Sequence, residues 1–353
     1  MKKGNRDTKA ADAETALQEL CDKYNGGGFV VGASDEYMST GSIVFDAVIG
    51  QGIPRKKFIG LTSDAGLGKT TCVLDFCRHA CSMGDSVLYI DAENGVSDSQ
   101  LQGIGVTPFK ENGLFHLTKA STYAEIERVI DQALLIEKMA YIVIDSITAV
   151  LPSKLLEKSV EELEPALKAR FLTAFLEKYR TLLNNSTSKA SFIFINQVRT
   201  KLNFGRTATS VEAGGNAFLF YMDVRLRMYP GKKLERTVHT AAGKTMMQFG
   251  AEAKVTAPKN RHGMPSVDAL VTVLFGRGIS NLAAYKMFLE YRGVLKEKSS
   301  GYYELVLPDQ EPIKARGWRG VIEIIRDNLP VIKQYVEDQG GFRRMLDGAE
   351  ADE

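Results

Sequence analysis

From about residue 40 onward, short apolar runs alternate with segments of helical periodicity. The apolar runs are Phe58-Ile59-Gly60-Leu61, Val87-Leu88-Tyr89-Ile90-Asp91, Tyr141-Ile142-Val143-Ile144-Asp145, Phe192-Ile193-Phe194-Ile195-Asn196 and Val224-Arg225-Leu226-Arg227. Apolar strands separated by helices are typical of parallel strands that are covered on both faces. The pattern therefore predicts an α/β fold with a central, mostly parallel sheet flanked by helices.

The two ends of the chain have different patterns from this core. Residues 11–24 have apolar side chains at helical spacing, and a glycine triplet separates them from a short apolar run. This N-terminal unit is too small to fold alone, so its apolar face must pack on the core or on a neighbouring subunit. After about residue 270, shorter elements predict a small α+β domain. The expected divisions are an N-terminal helix and strand (1–35), the core (36–268), the C-terminal domain (269–340) and an acidic tail (341–353).

Composition narrows the class of protein. With 353 residues, of which 44% are hydrophobic, the chain can bury a full α/β core. The formal net charge of +2 does not by itself indicate a nucleic-acid-binding protein, because a near-neutral total can hide local patches. No stretch approaches the roughly 18 apolar residues that a membrane span needs, and no apolar signal core follows the start. We therefore expect a cytoplasmic protein without membrane contact.

The strongest chemical motif follows the first apolar strand and precedes a helical segment, which is the context of a phosphate-binding loop. Its residues are Ser63-Asp64-Ala65-Gly66-Leu67-Gly68-Lys69-Thr70, with Ser63 in place of the usual first glycine. Gly66 and Gly68 allow backbone N–H groups to surround phosphates at the helix N-terminus. Lys69 supplies a cation to the phosphate oxygens, and Thr70 is suited to ligate Mg²⁺. The motif predicts binding of ATP with Mg²⁺.

A second Gly-Lys-Thr, Gly243-Lys244-Thr245, lacks this context. No apolar strand precedes it, and no glycine stands at the start of the eight-residue spacing. We therefore interpret it as unrelated to phosphate binding.

Polar side chains at the ends of the predicted strands complete the expected site. Asp145 closes an apolar strand where a carboxylate holds Mg²⁺ through water and orients Thr70. Glu93, two residues beyond Asp91, is placed to act as general base toward the attacking water. Gln197 follows the fourth strand, where an amide can sense the γ-phosphate and pass its presence to the next loop. Because the carboxyl ends of parallel strands meet at one edge, we expect these groups to converge.

Several short signatures stand in a fixed order over nearly the whole chain. They are Ser39-Thr40-Gly41-Ser42, Gly66-Leu67-Gly68-Lys69-Thr70-Thr71, Ile90-Asp91-Ala92-Glu93, Val143-Ile144-Asp145-Ser146, Phe194-Ile195-Asn196-Gln197-Val198-Arg199, Gly214-Gly215-Asn216-Ala217, Tyr221-Met222-Asp223-Val224-Arg225-Leu226 and Lys259-Asn260-Arg261. In these signatures and their order the chain resembles the RecA recombinase family, which implies a RecA-like P-loop NTPase core and an N-terminal polymerisation arm.

The resemblance implies an activity and a set of partners. The expected protein is a DNA-dependent ATPase that forms helical filaments on single-stranded DNA. It would pair that strand with homologous double-stranded DNA and exchange strands in recombination, in repair and in the SOS response to DNA damage. Mediator and single-strand-binding proteins are candidate partners.

The resemblance also assigns roles to residues. Glu93 would be the catalytic base and Gln197 the allosteric switch, while Thr71 and Gln100 would line the nucleotide site. Lys259 and Arg261 would contact the ATP of the adjacent subunit, where Phe220 would touch the neighbour. A first DNA-binding loop would cover roughly 153–168 and a second 198–216. The expected DNA-binding residues are Arg170, Thr173, Arg199, Lys201, Arg206, Gly214, Gly215 and Asn216.

The chain departs from the family pattern at several of these positions. Gln100 stands where many relatives place an aromatic that stacks on adenine, so we expect that stacking to be lost and nucleotide preference to loosen. The first loop carries four glutamates where relatives often have glycine and methionine, which argues against its insertion between bases. Arg261 replaces a lysine and keeps the charge.

Two other functions stay open at this stage. A ring-forming helicase could use the same core, although the N-terminal unit favours open, head-to-tail association. A scaffold gated by ATP, with weak hydrolysis, is the other alternative, and Glu93 argues against complete loss of catalysis.

Overall fold

The computed structural model describes residues 36–153, 165–201, 209–212, 215–240, 243–263, 268–308 and 310–346. The predicted N-terminal arm (1–35), residues 154–164 of the predicted first DNA-binding loop, and the acidic end of the chain from residue 347 lie outside the described residues. No helix among the described residues is both long enough and apolar enough to cross a membrane.

The described strands are numbered in chain order. They are β1 (Tyr37–Met38), β2 (Ile53–Pro54), β3 (Phe58–Ser63), β4 (Ser86–Asp91), β5 (Phe115–Thr118), β6 (Met139–Asp145), β7 (Ser191–Lys201), β8 (Thr209–Glu212), β9 (Val224–Thr240), β10 (Gly243–Asn260), β11 (Asp268–Leu274), β12 (Gly278–Ile279), β13 (Leu295–Ser299), β14 (Tyr302–Leu305) and β15 (Ile313–Arg316). All five predicted apolar runs lie in strands of this set, namely β3, β4, β6, β7 and β9.

The described helices are α1 (Ile43–Ile49), α2 (Lys69–Ser82), α3 (Asp98–Ile104), α4 (Thr107–Glu111), α5 (Tyr123–Ala133), α6 (Pro165–Asn185), α7 (Gly215–Tyr221), α8 (Asn281–Tyr291), α9 (Gly317–Asp327), α10 (Leu329–Asp338) and α11 (Gly341–Leu346). Helix α2 follows the phosphate-loop motif directly, as the sequence predicts.

One large sheet organises the core. Its order is β12-β11-β10-β9-β3-β7-β6-β4-β5, and β8 pairs with the far end of β7. The six strands from β9 to β5 run parallel to their neighbours. Strands β10, β11 and β12 extend the sheet with antiparallel pairs. The predicted α/β class and the mostly parallel sheet are confirmed.

Alternate residues of the parallel strands build a separate core on each face of the sheet. In β6, Tyr141 and Val143 pack on the face covered by α2, whereas Ile142 and Ile144 pack on the face covered by α5 and α6. All four of these side chains are fully buried. Both faces are apolar because both are covered, and this explains why the strands appear in the sequence as continuous apolar runs.

Strands β9 and β10 form a hairpin that continues well beyond their pairing with the rest of the sheet. Strand β9 pairs with β3 only through residues 224–228, while its pairing with β10 extends to Thr240 and Gly243. The second Gly-Lys-Thr therefore begins a strand rather than a helix, and Lys244 is exposed. This placement agrees with its interpretation as unrelated to phosphate binding.

The elements after β11 are mixed. Helices α8 to α11 accompany a small antiparallel sheet of β13, β14 and β15. Asp268 begins β11, which pairs with β10 in the large sheet. The boundary between 268 and 269 stays a prediction.

A buried carboxylate ties together three elements at the amino edge of the sheet. Asp223, only 4% exposed, accepts hydrogen bonds through Oδ2 from the backbone N–H of Phe58 at 2.9 Å and from Nη1 of Arg180 at 2.6 Å. The guanidinium of Arg180 also lies 4.1 Å from the centre of the Phe58 ring. The start of β3, the start of β9 and helix α6 are thereby joined.

We expect Asp223→Ala to lower the free energy of unfolding by about 3–5 kcal/mol, because it leaves the Arg180 charge and the Phe58 N–H without their acceptor. Urea unfolding followed by circular dichroism measures the change. Asp98→Ala is the matched control, since the Asp98 side chain is 91% exposed in its ion pair with Lys110 and its loss is expected to have no measurable effect. Equal effects of the two substitutions would contradict the assignment.

Candidate functional site

The loop between β3 and α2 has the backbone of a phosphate-binding turn. Gly66 and Gly68 have positive φ values of 77° and 84°, which favour glycine. A Cβ on Gly68 would also lie 2.7 Å from Cγ1 of Val273 in β11. Gly68 is the N-cap of α2, so the first N–H groups of this helix face the loop. The turn is therefore suited to bind an anion at the helix N-terminus.

Lys69 is held inside this loop. Its Nζ donates hydrogen bonds to the backbone oxygens of Ser63 (3.1 Å) and Asp64 (2.9 Å), and to Oγ of Ser63 at 3.0 Å. Burial lowers the pKa of Lys69, and the nearby carboxylates of Asp145 and Glu93 oppose this shift. The hydroxyl of Ser63, at the position where a glycine is usual, thus provides a side-chain acceptor for the lysine.

Asp145 lies beside the start of α2 at the end of β6. Its Oδ2 accepts one hydrogen bond from Oγ1 of Thr70 at 2.7 Å and another from the hydroxyl of Tyr89, also at 2.7 Å. Burial raises the pKa of Asp145, and the two hydroxyl donors oppose this shift. Burial, together with the Asp145 charge, raises the pKa of Tyr89 well above its usual value, so the phenol is the donor. The hydroxyl of Thr70 and the carboxylate of Asp145 are oxygen donors of the kind that Mg²⁺ prefers.

Glu93 is exposed at the same edge, in the loop after β4. Oε1 of Glu93 accepts hydrogen bonds from the hydroxyl of Ser146 and, at 3.0 Å, from Nε2 of Gln197. Asp91 shapes the loop, because its carboxylate accepts from the N–H groups of Gly95 at 3.0 Å and Val96 at 2.9 Å. The predicted convergence of the strand-end residues is present in the structure.

A cavity of about 600 Å³ lies at this edge. Of the residues that the sequence places at the nucleotide, those that line it are Ala65, Gly66, Gly68, Lys69, Thr70, Thr71, Glu93, Gln100, Asp145 and Gln197. Ser63, Asp64 and Leu67 are not among the lining residues. The shape and the donors of the cavity fit a phosphate-bearing ligand with a divalent cation.

Three further residues of this cavity are not predicted from the sequence, namely Ser99, Phe275 and Gly276. Phe275 and Gly276 follow β11, and Gly276 lies so close to α3 that a Cβ on Gly103 would be 2.1 Å from the Gly276 carbonyl oxygen. Phe275 is 38% exposed and offers an aromatic side chain to the cavity. The cavity thus has an aromatic residue although position 100 is a glutamine. The expected loss of stacking at Gln100 stays a prediction.

Lys259 and Arg261 lie away from this cavity, at the opposite edge of the sheet. Lys259 pairs with Arg225 near the start of β9, while the phosphate loop follows the far end of β3. Nζ of Lys259 donates to the backbone oxygens of Leu219 (3.1 Å) and Phe220 (2.8 Å) at the end of α7. Nη1 of Arg261 lies 3.4 Å from Oδ1 of Asp223. The structure therefore does not bring these two cations to the phosphate loop of the same chain.

Lys259 and Arg261 lie in surroundings that carry an excess of positive charge. Burial lowers the pKa of Lys259, and the charges of Arg261, Arg225 and Arg180 lower it further, against Asp223. Arg261 is about half exposed, and the ring of Phe220 is 68% exposed beside them. An anion from outside the chain would relieve this charge imbalance.

The predicted DNA-binding residues fall on two segments. Helix α6 buries one face, including Leu172 and Phe175, while Arg170 is exposed. Thr173 is half-buried, and its Oγ1 donates to the backbone oxygen of Ala169 at 2.9 Å. Both predicted residues of this helix are thus on its less buried side.

The second segment follows Gln197. Strand β7 does not end at Asn196 as predicted but continues to Lys201, because its last residues pair antiparallel with β8. Arg199 and Lys201 lie in this hairpin, and Gly215 and Asn216 begin α7. Arg206 and Gly214 lie outside the described residues. The DNA-binding roles of this set stay predictions.

Comparison with known proteins agrees with this geometry. The family model described as the RecA N-terminal domain matches residues 14–280. Protein RecA of Malacoplasma penetrans is 29% identical over 95% of this chain and 98% of its own length. Protein RecA of Thermotoga neapolitana is 26% identical over 96% of this chain and 95% of its length. Protein RecA of Trichormus variabilis is 28% identical over 76% of this chain and 71% of its length. The family match covers the phosphate loop, Asp145, Glu93 and Gln197, and the chain belongs to the RecA family.

Proposed function

We propose that this protein acts as an ATP-driven filament on single-stranded DNA. Its family acts in DNA recombination and repair through DNA-dependent ATP hydrolysis. The filament pairs its strand with homologous double-stranded DNA and exchanges strands. We place this activity in the cytoplasm, with mediator and single-strand-binding proteins as candidate partners. The hydrogen bond between Gln197 and Glu93 carries the proposal, because Gln197 stands where the cavity meets the hairpin of β7 and β8.

The residues around the cavity have different roles in ATP hydrolysis. The N–H groups at the start of α2 and the Lys69 ammonium hold the phosphates and stabilise the negative charge that grows on them. Thr70 and Asp145 would hold Mg²⁺, which would neutralise phosphate charge when bound. Glu93 accepts the proton of the attacking water, so that ATP and water give ADP and inorganic phosphate.

Gln197 couples this chemistry to DNA. The side-chain amide of Gln197 contacts the catalytic carboxylate of Glu93. A γ-phosphate that competes for this amide therefore changes the position of β7, the strand that carries Gln197. The same strand leads directly into Arg199 and Lys201 of the hairpin. Cationic side chains there contact DNA phosphates without reading base sequence, and Arg170 and Thr173 of α6 add to this surface. Base pairing then supplies sequence recognition.

Lys259 and Arg261 complete the site of a neighbouring subunit. Both lie at the edge of the sheet opposite to their own phosphate loop, so they reach a γ-phosphate only in trans. Two cations at a shared site stabilise the charge on the transferring phosphoryl group. Because nucleotide bound between subunits stabilises their association, assembly depends on ATP.

The decisive experiment compares ATP hydrolysis by the wild-type protein and by Glu93→Gln, with and without single-stranded DNA, alongside negative-stain microscopy. We expect the wild type to form helical filaments and to hydrolyse ATP only when DNA is present. Glu93→Gln should keep the filaments but lose at least about 100-fold in turnover, because the general base is gone. Closed rings, or hydrolysis that is indifferent to DNA, would reject the proposal in favour of a helicase. Filaments of the wild type with negligible turnover would instead support a scaffold gated by ATP.

Substitution of the phosphate-loop lysine tests nucleotide binding by the subunit alone. We expect Lys69→Ala to weaken ATP binding by about 100-fold or more, because a buried charge-assisted contact to the phosphates is lost. Isothermal titration in the absence of DNA measures the affinity. Lys244→Ala, in the second Gly-Lys-Thr, is the control and should bind ATP like the wild type. Weaker ATP binding in Lys244→Ala than in Lys69→Ala would show that the nucleotide site is at the second Gly-Lys-Thr and not at the first loop.

The contribution in trans is tested by Lys259→Ala. We expect DNA-stimulated turnover to fall by about 100-fold or more, since a cation at the transferring phosphoryl group is removed. ATP binding by the isolated subunit should stay within about twofold of the wild type, because Lys259 is remote from its own cavity. Lys254→Ala, an exposed change on the same strand that breaks an ion pair with Asp268, is the matched control. Normal DNA-stimulated turnover by Lys259→Ala would refute the assignment.

A further inference from the structure

Tyr89 is a core residue of β4 whose polar end lies at the nucleotide site. The residue is fully buried beneath α2, and its ring packs 6.0 Å from the ring of Phe115, measured between centroids. Its hydroxyl is 2.7 Å from Oδ2 of Asp145. Because β4 and β6 are parallel neighbours with Tyr89 opposite Val143, the phenol extends along the strand direction to the carboxylate two residues further on.

The two hydroxyl donors to Asp145 come from different sides. Thr70 approaches from the first turn of α2 and Tyr89 from the neighbouring strand, and both donate to Oδ2. Among the described residues, no hydrogen bond to the other oxygen, Oδ1, is present. Rotation of the carboxylate would break both bonds together. The pair therefore fixes the orientation of Asp145, which lines the cavity, and leaves Oδ1 without a hydrogen bond from the described residues.

Burial alone does not require this bond. Tyr141, on the adjacent strand β6, is equally buried on the same face of the sheet, yet its hydroxyl has no hydrogen-bond partner among the described residues. The core thus accepts a tyrosine whose hydroxyl has no hydrogen-bond partner in the described part of the chain. The contact between Tyr89 and Asp145 is not a general consequence of placing a tyrosine in this sheet.

We propose that Tyr89 is a positioning residue that orients Asp145 for Mg²⁺ bound with the nucleotide. With Oδ2 held by Tyr89 and Thr70, Oδ1 would be the oxygen of Asp145 left to help hold Mg²⁺. Thr70 is itself expected to ligate Mg²⁺ through its hydroxyl oxygen, and it can donate its proton to Asp145 at the same time. Tyr89 is then the donor whose only task is to fix the carboxylate. The inference rests on the proposed nucleotide site and adds a residue to it.

The test compares Tyr89→Phe with Tyr141→Phe, which each remove one buried hydroxyl from adjacent strands. Binding of a fluorescent N-methylanthraniloyl ATP is followed while Mg²⁺ is titrated, without DNA. We expect Tyr89→Phe to need about tenfold more Mg²⁺ for half-maximal binding, the usual effect of losing a partner that orients a metal ligand. Tyr141→Phe should have the midpoint of the wild type. Binding of the same probe in excess EDTA should be unchanged in both variants.

Thermal unfolding without nucleotide separates positioning from general stability. A lower melting temperature in Tyr89→Phe, with equal loss of probe binding in Mg²⁺ and in EDTA, would assign the hydroxyl a purely structural role and overturn the inference. An unchanged Mg²⁺ midpoint in Tyr89→Phe would overturn it as well. Equal binding of the probe by the wild type with and without Mg²⁺ would also overturn the inference. A wild-type protein that does not bind the probe at all would overturn the proposed nucleotide site itself, and so the two failures are distinguishable.

Discussion

The parallel register of β3, β7, β6 and β4 is the constraint on which the site depends. Asp91 lies opposite Asp145, so that β4 and β6 end at one level, and Ser63, the last residue of β3, lies opposite Gln197 of β7. A slip of one residue would turn every side chain of a strand to the other face of the sheet. Asp145 would then point away from α2 and lose Thr70. Because Tyr141 and Val143 share its face, the apolar packing that fixes the register also fixes the carboxylate.

Residues that follow an apolar run could be predicted from the sequence. The phosphate loop begins at the end of β3, Asp145 ends β6, Glu93 lies two residues beyond β4, and Gln197 follows the apolar part of β7. The rule that ligands bind at the carboxyl ends of parallel strands places them together. The two-sided burial of the strands was equally visible, because it leaves continuous apolar runs.

Other parts of the site have no local signal. Phe275 and Gly276 come to the cavity because β11 is added to the sheet through β10, and this pairing depends on contacts between distant segments. Tyr89 lies inside an apolar run, where the sequence predicts only that a tyrosine packs in the core. The position of its hydroxyl in the structure is what distinguishes it from Tyr141. The extension of β7 to Lys201 arises from its pairing with β8, which the polar sequence there does not indicate.

Lys259 lies at the amino edge of the sheet and the phosphate loop lies at the carboxyl edge, so the two edges of the sheet carry different groups. If Lys259 and Arg261 reach the phosphate loop of a neighbouring chain, as proposed, the chains associate head to tail, which builds open filaments unless the rotation closes. The hairpin of β7 and β8, which is proposed to bind DNA, lies between the two in sequence. It begins just after Gln197, which contacts Glu93, and it leads into α7, whose final carbonyl groups accept Lys259. Under the proposed function, a movement of the hairpin on DNA would be transmitted to Glu93 through Gln197 and to Lys259 through α7. Under the proposed function, this double connection explains why hydrolysis should depend on DNA and on assembly together.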